Sequence, residues 1–366
     1  MKINPEALVR PDITAMAPYQ PILPFHVLSQ QLGIPPEKLV KLDANENPYG
    51  TLPEVLAALA ELEFAYIYPD PESRRIRALL SDYLGLDVNS IVMGSGADEL
   101  IDLIMRLTLS PGDVVLNCPP TFGMYDFDAM LNQAQVANVP RNPDFTLDLP
   151  AIDAAVKQHA PKLLFLANPN NPDGQLLPAE DIEQLLSLPL LLVLDEAYIH
   201  FSPSGSSWIQ HVNEHDNLIV LRTFSKWGGL AGLRAGYGIF PMQLVPYLMK
   251  IKQPYNLNVA AEAAACAAIE NHVALNSRVK KIISERQRLY ELLQDIPWLD
   301  ALPGSQSNFI LCRVAGKPAR QVKQTLMEKG ILLRYFDKPG LKDCLRITVG
   351  TPQQNDILID ALKEME

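Results

Sequence analysis

Four short apolar runs in the middle of the chain restrict the fold more than any other feature. They are "DVVLNCPP" (113–120), "KLLFLANP" (162–169), "LLLVLDEAY" (190–198) and "NLIVLRTFSK" (217–226). Side chains of a β-strand point alternately to opposite faces, so a nearly unbroken apolar strand needs both faces covered. Segments with helical patterning separate the runs, which predicts an α/β fold around a mainly parallel sheet. Upstream, "SIVMGSGADELIDLIMRL" (90–107) reads as strand, glycine turn and helix, with Leu100, Leu103, Ile104 and Leu107 on one helical face. Polar residues follow the strands: Asn168 and Asn171, Asp195, Ser225 and Lys226. Ligands of open α/β sheets bind beyond the carboxyl ends of the strands, so these side chains are expected on one rim.

A chain of 366 residues exceeds what one core usually organises, and a second unit is expected. Beyond about residue 256 the pattern changes. "NVAAEAAACAAIENH" predicts an alanine-rich helix and "SRVKKIISERQRLYELLQ" a long amphipathic one. "SNFILCRV", "GILLRYF" and "CLRITVG" then predict strands of a smaller α+β unit. The expected division is a large unit at 41–255, and a small unit at 256–366 carrying residues 1–40 as an arm.

The charge balance excludes some partners. With 31 basic and 42 acidic residues the net charge is −11, which argues against nonspecific nucleic-acid binding. The start, "MKINPEALVRPDITAMAPYQ", lacks the apolar stretch of a signal peptide, and no apolar run approaches the ~18 residues of a membrane span. Cys118, Cys266, Cys312 and Cys344 lack CxxC spacing. They predict reduced core thiols in a cytoplasmic protein, with no metal site.

Three features carry the chemistry. "GSGADE" (94–99) joins a strand to a helix, where backbone N–H groups make a natural anion site. Glu99 stands at the third glycine position of GxGxxG, so this is no dinucleotide fingerprint. Asp195 ends a strongly apolar strand, where a carboxylate is costly unless a cation or strong donor meets it. Lys226 sits in "LRTFSKWGGLAGLRAGYGIF" (221–240) between hydroxyls (Thr223, Ser225) and glycines, with Arg234 following. Those surroundings suit a Schiff-base lysine and a phosphate-binding arginine. Each feature also has an ordinary reading: a tight turn, a helix-capping aspartate, a solvated loop lysine. Together, an aldehyde-binding lysine, a phosphate cradle, an acid for a ring nitrogen and a stacking aromatic (Phe122 of "PPTFGMY") describe pyridoxal 5′-phosphate.

The ordered set "APYQP", "KLDANENPYG", "YPDPES", "GSGADE", "PPTFGMY", "NPNNPDGQ", "DEAYIHF", "TFSKWGGLAGLR" and "CLRITVGT" resembles the fold-type I, pyridoxal-phosphate-dependent aminotransferases of the class II subgroup, in the branch acting on L-histidinol phosphate. The resemblance covers nearly the whole chain. It implies a mainly parallel seven-stranded sheet and a homodimer with shared sites. It also implies transfer of the amino group of L-histidinol phosphate to 2-oxoglutarate, giving glutamate, in histidine biosynthesis. Lys226 would take the cofactor's aldehyde and carry the proton, and Asp195 would pair with the ring N–H. Asn171 and Tyr198 would meet the phenolic oxygen. Ala97, Asp98, Thr223, Ser225 and Arg234 would hold the phosphate, with Tyr68 of "YPDP" reaching in from a second subunit. Arg334, Arg346, Asn47 and Tyr19 would serve the substrate. Two positions depart from the pattern: Phe122 stands where tyrosine is frequent, and Asp173 turns the usual "NPTG" into "NPDG". An aromatic amino-acid aminotransferase and a threonine-phosphate decarboxylase share the scaffold. A ligand-sensing regulator would need an appended DNA-binding module, for which the first 40 residues leave no room.

Overall fold

A computed structural model describes residues 3–16 and 23–365. Twelve strands form two sheets among these residues. The larger contains β2 (Ile91–Gly94), β3 (Val114–Asn117), β4 (Gln135–Asn138), β5 (Leu163–Ala167), β6 (Leu191–Asp195), β7 (Leu218–Thr223) and β8 (Gly236–Ile239), in the order β2-β8-β7-β6-β5-β3-β4. All neighbours are parallel except β8, which runs antiparallel to both β2 and β7. The mainly parallel, seven-stranded sheet is therefore present, and the four apolar runs supply β3, β5, β6 and β7.

Alternate residues of the strands enter two different cores, which explains why the runs are apolar throughout. Leu164, Leu166, Leu192, Leu194, Leu218 and Val220 join one apolar cluster. Leu163, Phe165, Val193, Ile219 and Leu221, their neighbours in sequence, join a second. The helix Gly96–Thr108 covers the second face, with Leu100, Leu103 and Ile104 fully buried.

The smaller sheet contains β1 (Val40–Leu42), β9 (Leu299–Ala301), β10 (Phe309–Val314), β11 (Ile331–Tyr335) and β12 (Cys344–Thr348), in the order β1-β11-β12-β10-β9. Only β1 and β11 pair in parallel. The first cluster continues into this sheet through Phe309, Ile310, Leu333, Leu345 and Ile347, so one apolar core reaches both sheets. The residues before β1 divide between the two bodies. Ile34 and Leu39 lie against Gly330, just before β11, whereas Arg10 Nη2 donates to Leu131 at the end of the helix Met124–Leu131. The arm thus does not lie on the small unit alone.

One close approach sets the rim. A Cβ at Gly236 would lie 2.6 Å from the Ala97 nitrogen and 2.6 Å from the Gly96 carbonyl carbon. The first turn of the helix Gly96–Thr108 thus rests directly on β8, backbone against backbone. Gly236→Ala should displace that turn and destabilise the protein by about 1–3 kcal/mol, the usual cost of overpacking. Urea denaturation of the variant measures this, and an unchanged midpoint would contradict the contact.

Candidate active site

The loops after β2, β3, β5, β6 and β7 meet in one cavity. Ala97, Asp98, Phe122, Asn171, Asp195, Tyr198, Thr223, Ser225, Lys226 and Arg234 line it, together with Ala167, Ala197 and Ala231. Ten side chains or turns expected from the sequence to hold the cofactor therefore converge.

Asp195 is 6% exposed at the end of β6. Tyr125 donates its hydroxyl to Oδ2 at 2.9 Å, and the Ala197 N–H reaches Oδ1 at 3.0 Å. Burial outweighs these two donors and pushes the carboxyl up to about 6. A cationic N–H brought to this carboxylate would relieve that cost.

Lys226 follows β7. Its ammonium donates to the Ala44 carbonyl at 3.1 Å and lies 5.8 Å from the centre of the Tyr198 ring. The Tyr198 hydroxyl accepts from Asn45 Nδ2 at 3.0 Å, and Asn171 Oδ1 accepts from Arg346 Nη1 at 2.7 Å.

The opposite end suits a phosphate. Thr223 donates to Ser225 Oγ at 2.9 Å, and both residues are buried. Arg234, held at φ 55°, sends Nη2 to Asp98 at 2.7 Å and Nη1 towards Ser225 Oγ at 3.4 Å. Non-glycine residues rarely take that conformation, and strain of this kind collects at functional sites. Gly96, at φ 79°, leaves the space beside Arg234 open: a Cβ there would meet Nη2 at 2.5 Å. An amine, a buried acid, a ring wall at Phe122 and this hydroxyl–guanidinium–helix-start cradle match the functional groups of pyridoxal 5′-phosphate one for one.

The remaining expected residues stand apart from the cavity lining. Tyr68 is 79% exposed and stacks on Tyr255, with ring centres 4.6 Å apart. Asn47 is engaged with backbone, donating to the Trp227 carbonyl and accepting from the Tyr49 N–H. Tyr19 lies outside the described residues. Arg334 and Arg346 face each other in register on β11 and β12. Arg346 is 5% exposed, and its Nη2 donates to the Asp43 carbonyl at 2.8 Å. Asp173 is not among the residues that line the cavity: it accepts from Asn170 and from the Gln175 N–H at 2.9 Å, closing its own turn. Burial raises its carboxyl, with Arg141 opposing.

Tyr125 and Asn45 were not anticipated from the sequence. Tyr125 ends the quoted motif "PPTFGMY", three residues after the stacking ring, which was the available signal. Asn45 takes φ 56°, a conformation that asparagine tolerates better than most residues.

Known proteins resemble this chain over nearly its whole length. The family model described as aminotransferase class I and II matches residues 37–362. The chloroplastic histidinol-phosphate aminotransferase of Nicotiana plumbaginifolia is 51% identical over 99% of this chain and 87% of its own length. The histidinol-phosphate aminotransferase of Roseiflexus castenholzii is 51% identical over 98% of each chain. The crystal structure of histidinol-phosphate aminotransferase from Sinorhizobium meliloti, in complex with pyridoxal 5′-phosphate, superimposes with a TM-score of 0.88 at 30% identity, covering 98% of both chains.

Asp195 gives a test that needs no substrate. Its carboxyl titrates at about 6 in the folded protein against 3.8 ordinarily, so the folded state keeps a proton that the unfolded chain has released. The resulting stabilisation is complete below about pH 4 and is lost as pH rises through about 6. Relative to Asp195→Asn, which does not titrate, the cofactor-free protein should lose about 3 kcal/mol of unfolding free energy between pH 4 and pH 7. Urea denaturation across that range reads the difference, and a flat difference would refute the shift.

Proposed function

The chain belongs to the class I and II aminotransferases, in the histidinol-phosphate aminotransferase family, and from that premise we propose that it transfers the amino group of L-histidinol phosphate to 2-oxoglutarate. The products are imidazole acetol phosphate and L-glutamate, a step of histidine biosynthesis. The cofactor is pyridoxal 5′-phosphate. When bound, that group supplies an aldehyde for amine exchange and a ring that takes up electron density released at the substrate carbon.

The chain's own residues divide the work. Lys226 Nζ would hold the cofactor's aldehyde and would serve as the base that carries the proton at the substrate carbon. Asp195 would keep the ring N–H protonated, with Tyr125 and the Ala197 N–H fixing the orientation of its carboxylate. Tyr198 and Asn171 hold the ring oxygen. Phe122 covers one face of the ring. Thr223, Ser225, Arg234 and the Ala97–Asp98 turn hold the phosphate.

One observation carries the choice of substrate. Arg334 and Arg346 are register partners, Arg346 is tied to Asn171 of the cavity, and the proton affinity of Lys323 is lowered first by burial and then by Arg334, with Asp43 opposing. The Arg334 guanidinium lies over Phe336 at 5.5 Å and holds no ion pair among the described residues. Like charges held this close repel one another, and a phosphate offsets that cost better than the single carboxylate of an aromatic amino acid. An amino-donor screen with 2-oxoglutarate should rank histidinol phosphate above phenylalanine, tyrosine and threonine phosphate. Arg334→Ala should weaken histidinol phosphate by about 2–4 kcal/mol and glutamate by less. Equal losses, or phenylalanine as the better donor, would move the assignment to an aromatic aminotransferase.

The same reading makes the active unit a homodimer with Tyr68 serving the neighbouring site. The support is a run of exposed apolar residues that water disfavours: Phe64 57%, Tyr66 81%, Ile67 51% and Tyr68 79%. Mixing inactive Lys226→Ala protomers with Tyr68→Phe protomers should restore activity above either parent, because one site of each hybrid is intact. No gain after subunit exchange would argue against sharing. We further assign 41–255 to the cofactor-holding unit and 1–40 with 256–366 to the arm and small unit. The seven-stranded sheet, within 91–239, supports this division, while β1 spans its first boundary. The four buried free cysteines support a cytoplasmic location, and no described helix is long and apolar enough to cross a membrane.

A further inference from the structure

Glu99, the residue that spoils the glycine fingerprint, stands one turn into the helix whose start faces the cofactor phosphate. A carboxylate there repels a phosphate unless its charge is balanced. The structure gives it two partners outside the cavity. Glu99 Oε2 accepts the Ser95 N–H and, at 2.7 Å, Asn256 Nδ2. Asn256 Nδ2 also donates to the Met93 carbonyl at 3.1 Å, while Asn256 Oδ1 accepts from Lys252 Nζ at 2.8 Å. Lys252 is 9% exposed, and its other acceptors are neutral, the Pro71 carbonyl at 3.0 Å and the Gln253 carbonyl at 3.3 Å. A buried ammonium bonded to three neutral oxygens needs a counter-charge nearby. Among the carboxylates that support its charge, Glu99 acts most strongly.

We propose that Lys252 and Asn256 are positioning residues for cofactor binding, holding Glu99 on the Ser95 N–H so that the following N–H groups stay open to the phosphate. A helix start leaves its first N–H groups without intrahelical acceptors. Ser95 is the residue before the helix, and Glu99 consumes its N–H alone. The N–H groups of Ala97 and Asp98, both at the cavity, remain available. Released from Asn256, the carboxylate can swing to those donors and compete with the phosphate. Lys252, which is not among the residues that line the cavity, completes the arrangement by balancing the charge, and its bond to Pro71 ties the "YPDP" segment to the same chain.

This inference rests on the pyridoxal-phosphate reading of the cavity, and the comparison of pyridoxal 5′-phosphate with pyridoxal separates the two. Pyridoxal has the ring and aldehyde but no phosphate. Binding to the cofactor-free protein is followed by the absorbance of the ligand, without substrate. Asn256→Ala and Lys252→Met should each weaken pyridoxal 5′-phosphate at least about tenfold, as for outer partners of other buried sites. Pyridoxal should change by less than about threefold, because its contacts lie elsewhere. Glu99→Gln is the milder second variant, and Asn256→Ala combined with it should bind no worse than Asn256→Ala alone, since both act through one carboxylate. Lys252→Arg, which keeps charge and donors, should retain the preference for the phosphate form. Equal losses for both ligands, or additive losses in the double variant, overturn the positioning role and leave a structural one. A wild-type protein that does not prefer the phosphate form overturns the cofactor reading together with this inference.

Discussion

The carboxylate of Asp195 at the end of a fully apolar strand is the constraint around which the rest is arranged. Its neighbours on β5 and β7 are hydrocarbon, and the residues before it enter two separate cores. In such a place a negative charge survives only with strong donors, and the two present leave its proton affinity raised. The site is thus prepared for a cation that the described residues do not provide. A protonated heteroaromatic nitrogen meets that need and gains a fixed, desolvated partner in return.

The second buried charge near the cavity is treated oppositely. Glu196, next in sequence and fully buried, is matched within the chain by Arg222 at 2.9 Å, by Ser207 and by the Trp208 N–H. Adjacent acids therefore divide: Asp195 turns to the cavity, and Glu196 ties the end of β6 to Arg222 of β7. Alternation along a strand is enough to separate a chemical role from a structural one.

Much of this could be read from the sequence because the decisive residues fall where patterns break. An apolar strand that stops at Asp195, or at Thr223 with a glycine-rich loop beyond, marks both the strand end and the rim. What escaped reading depends on contacts between distant segments. Tyr125 reaches Asp195 across 70 positions, and Asn45 reaches Tyr198 across 153. Two asparagines two residues apart in "NEN" look alike in sequence. The backbone turns Asn45 toward the ring and leaves Asn47 to the main chain of Trp227. The arm was assigned to one body because its apolar residues gave no hint of which surface each would meet. Glu99 was recognised as an irregularity, but its partners at 252 and 256 carry no local mark.

The single antiparallel strand, β8, has a consequence for the two cations on either side of the glycine-rich loop. Had the chain after β7 continued as in the rest of the sheet, a crossover would have carried it to the opposite edge before it returned. Because β8 pairs back on β7, with Thr223 opposite Gly236, residues 224–235 leave and re-enter at the same rim. The loop therefore behaves as a caliper whose jaws are the amine of Lys226 and the guanidinium of Arg234, and whose opening is set by the number of residues between them. Its length is therefore tied to the cavity's geometry: one residue more or fewer would shift the amine of Lys226 relative to the guanidinium of Arg234 while leaving every residue type in place.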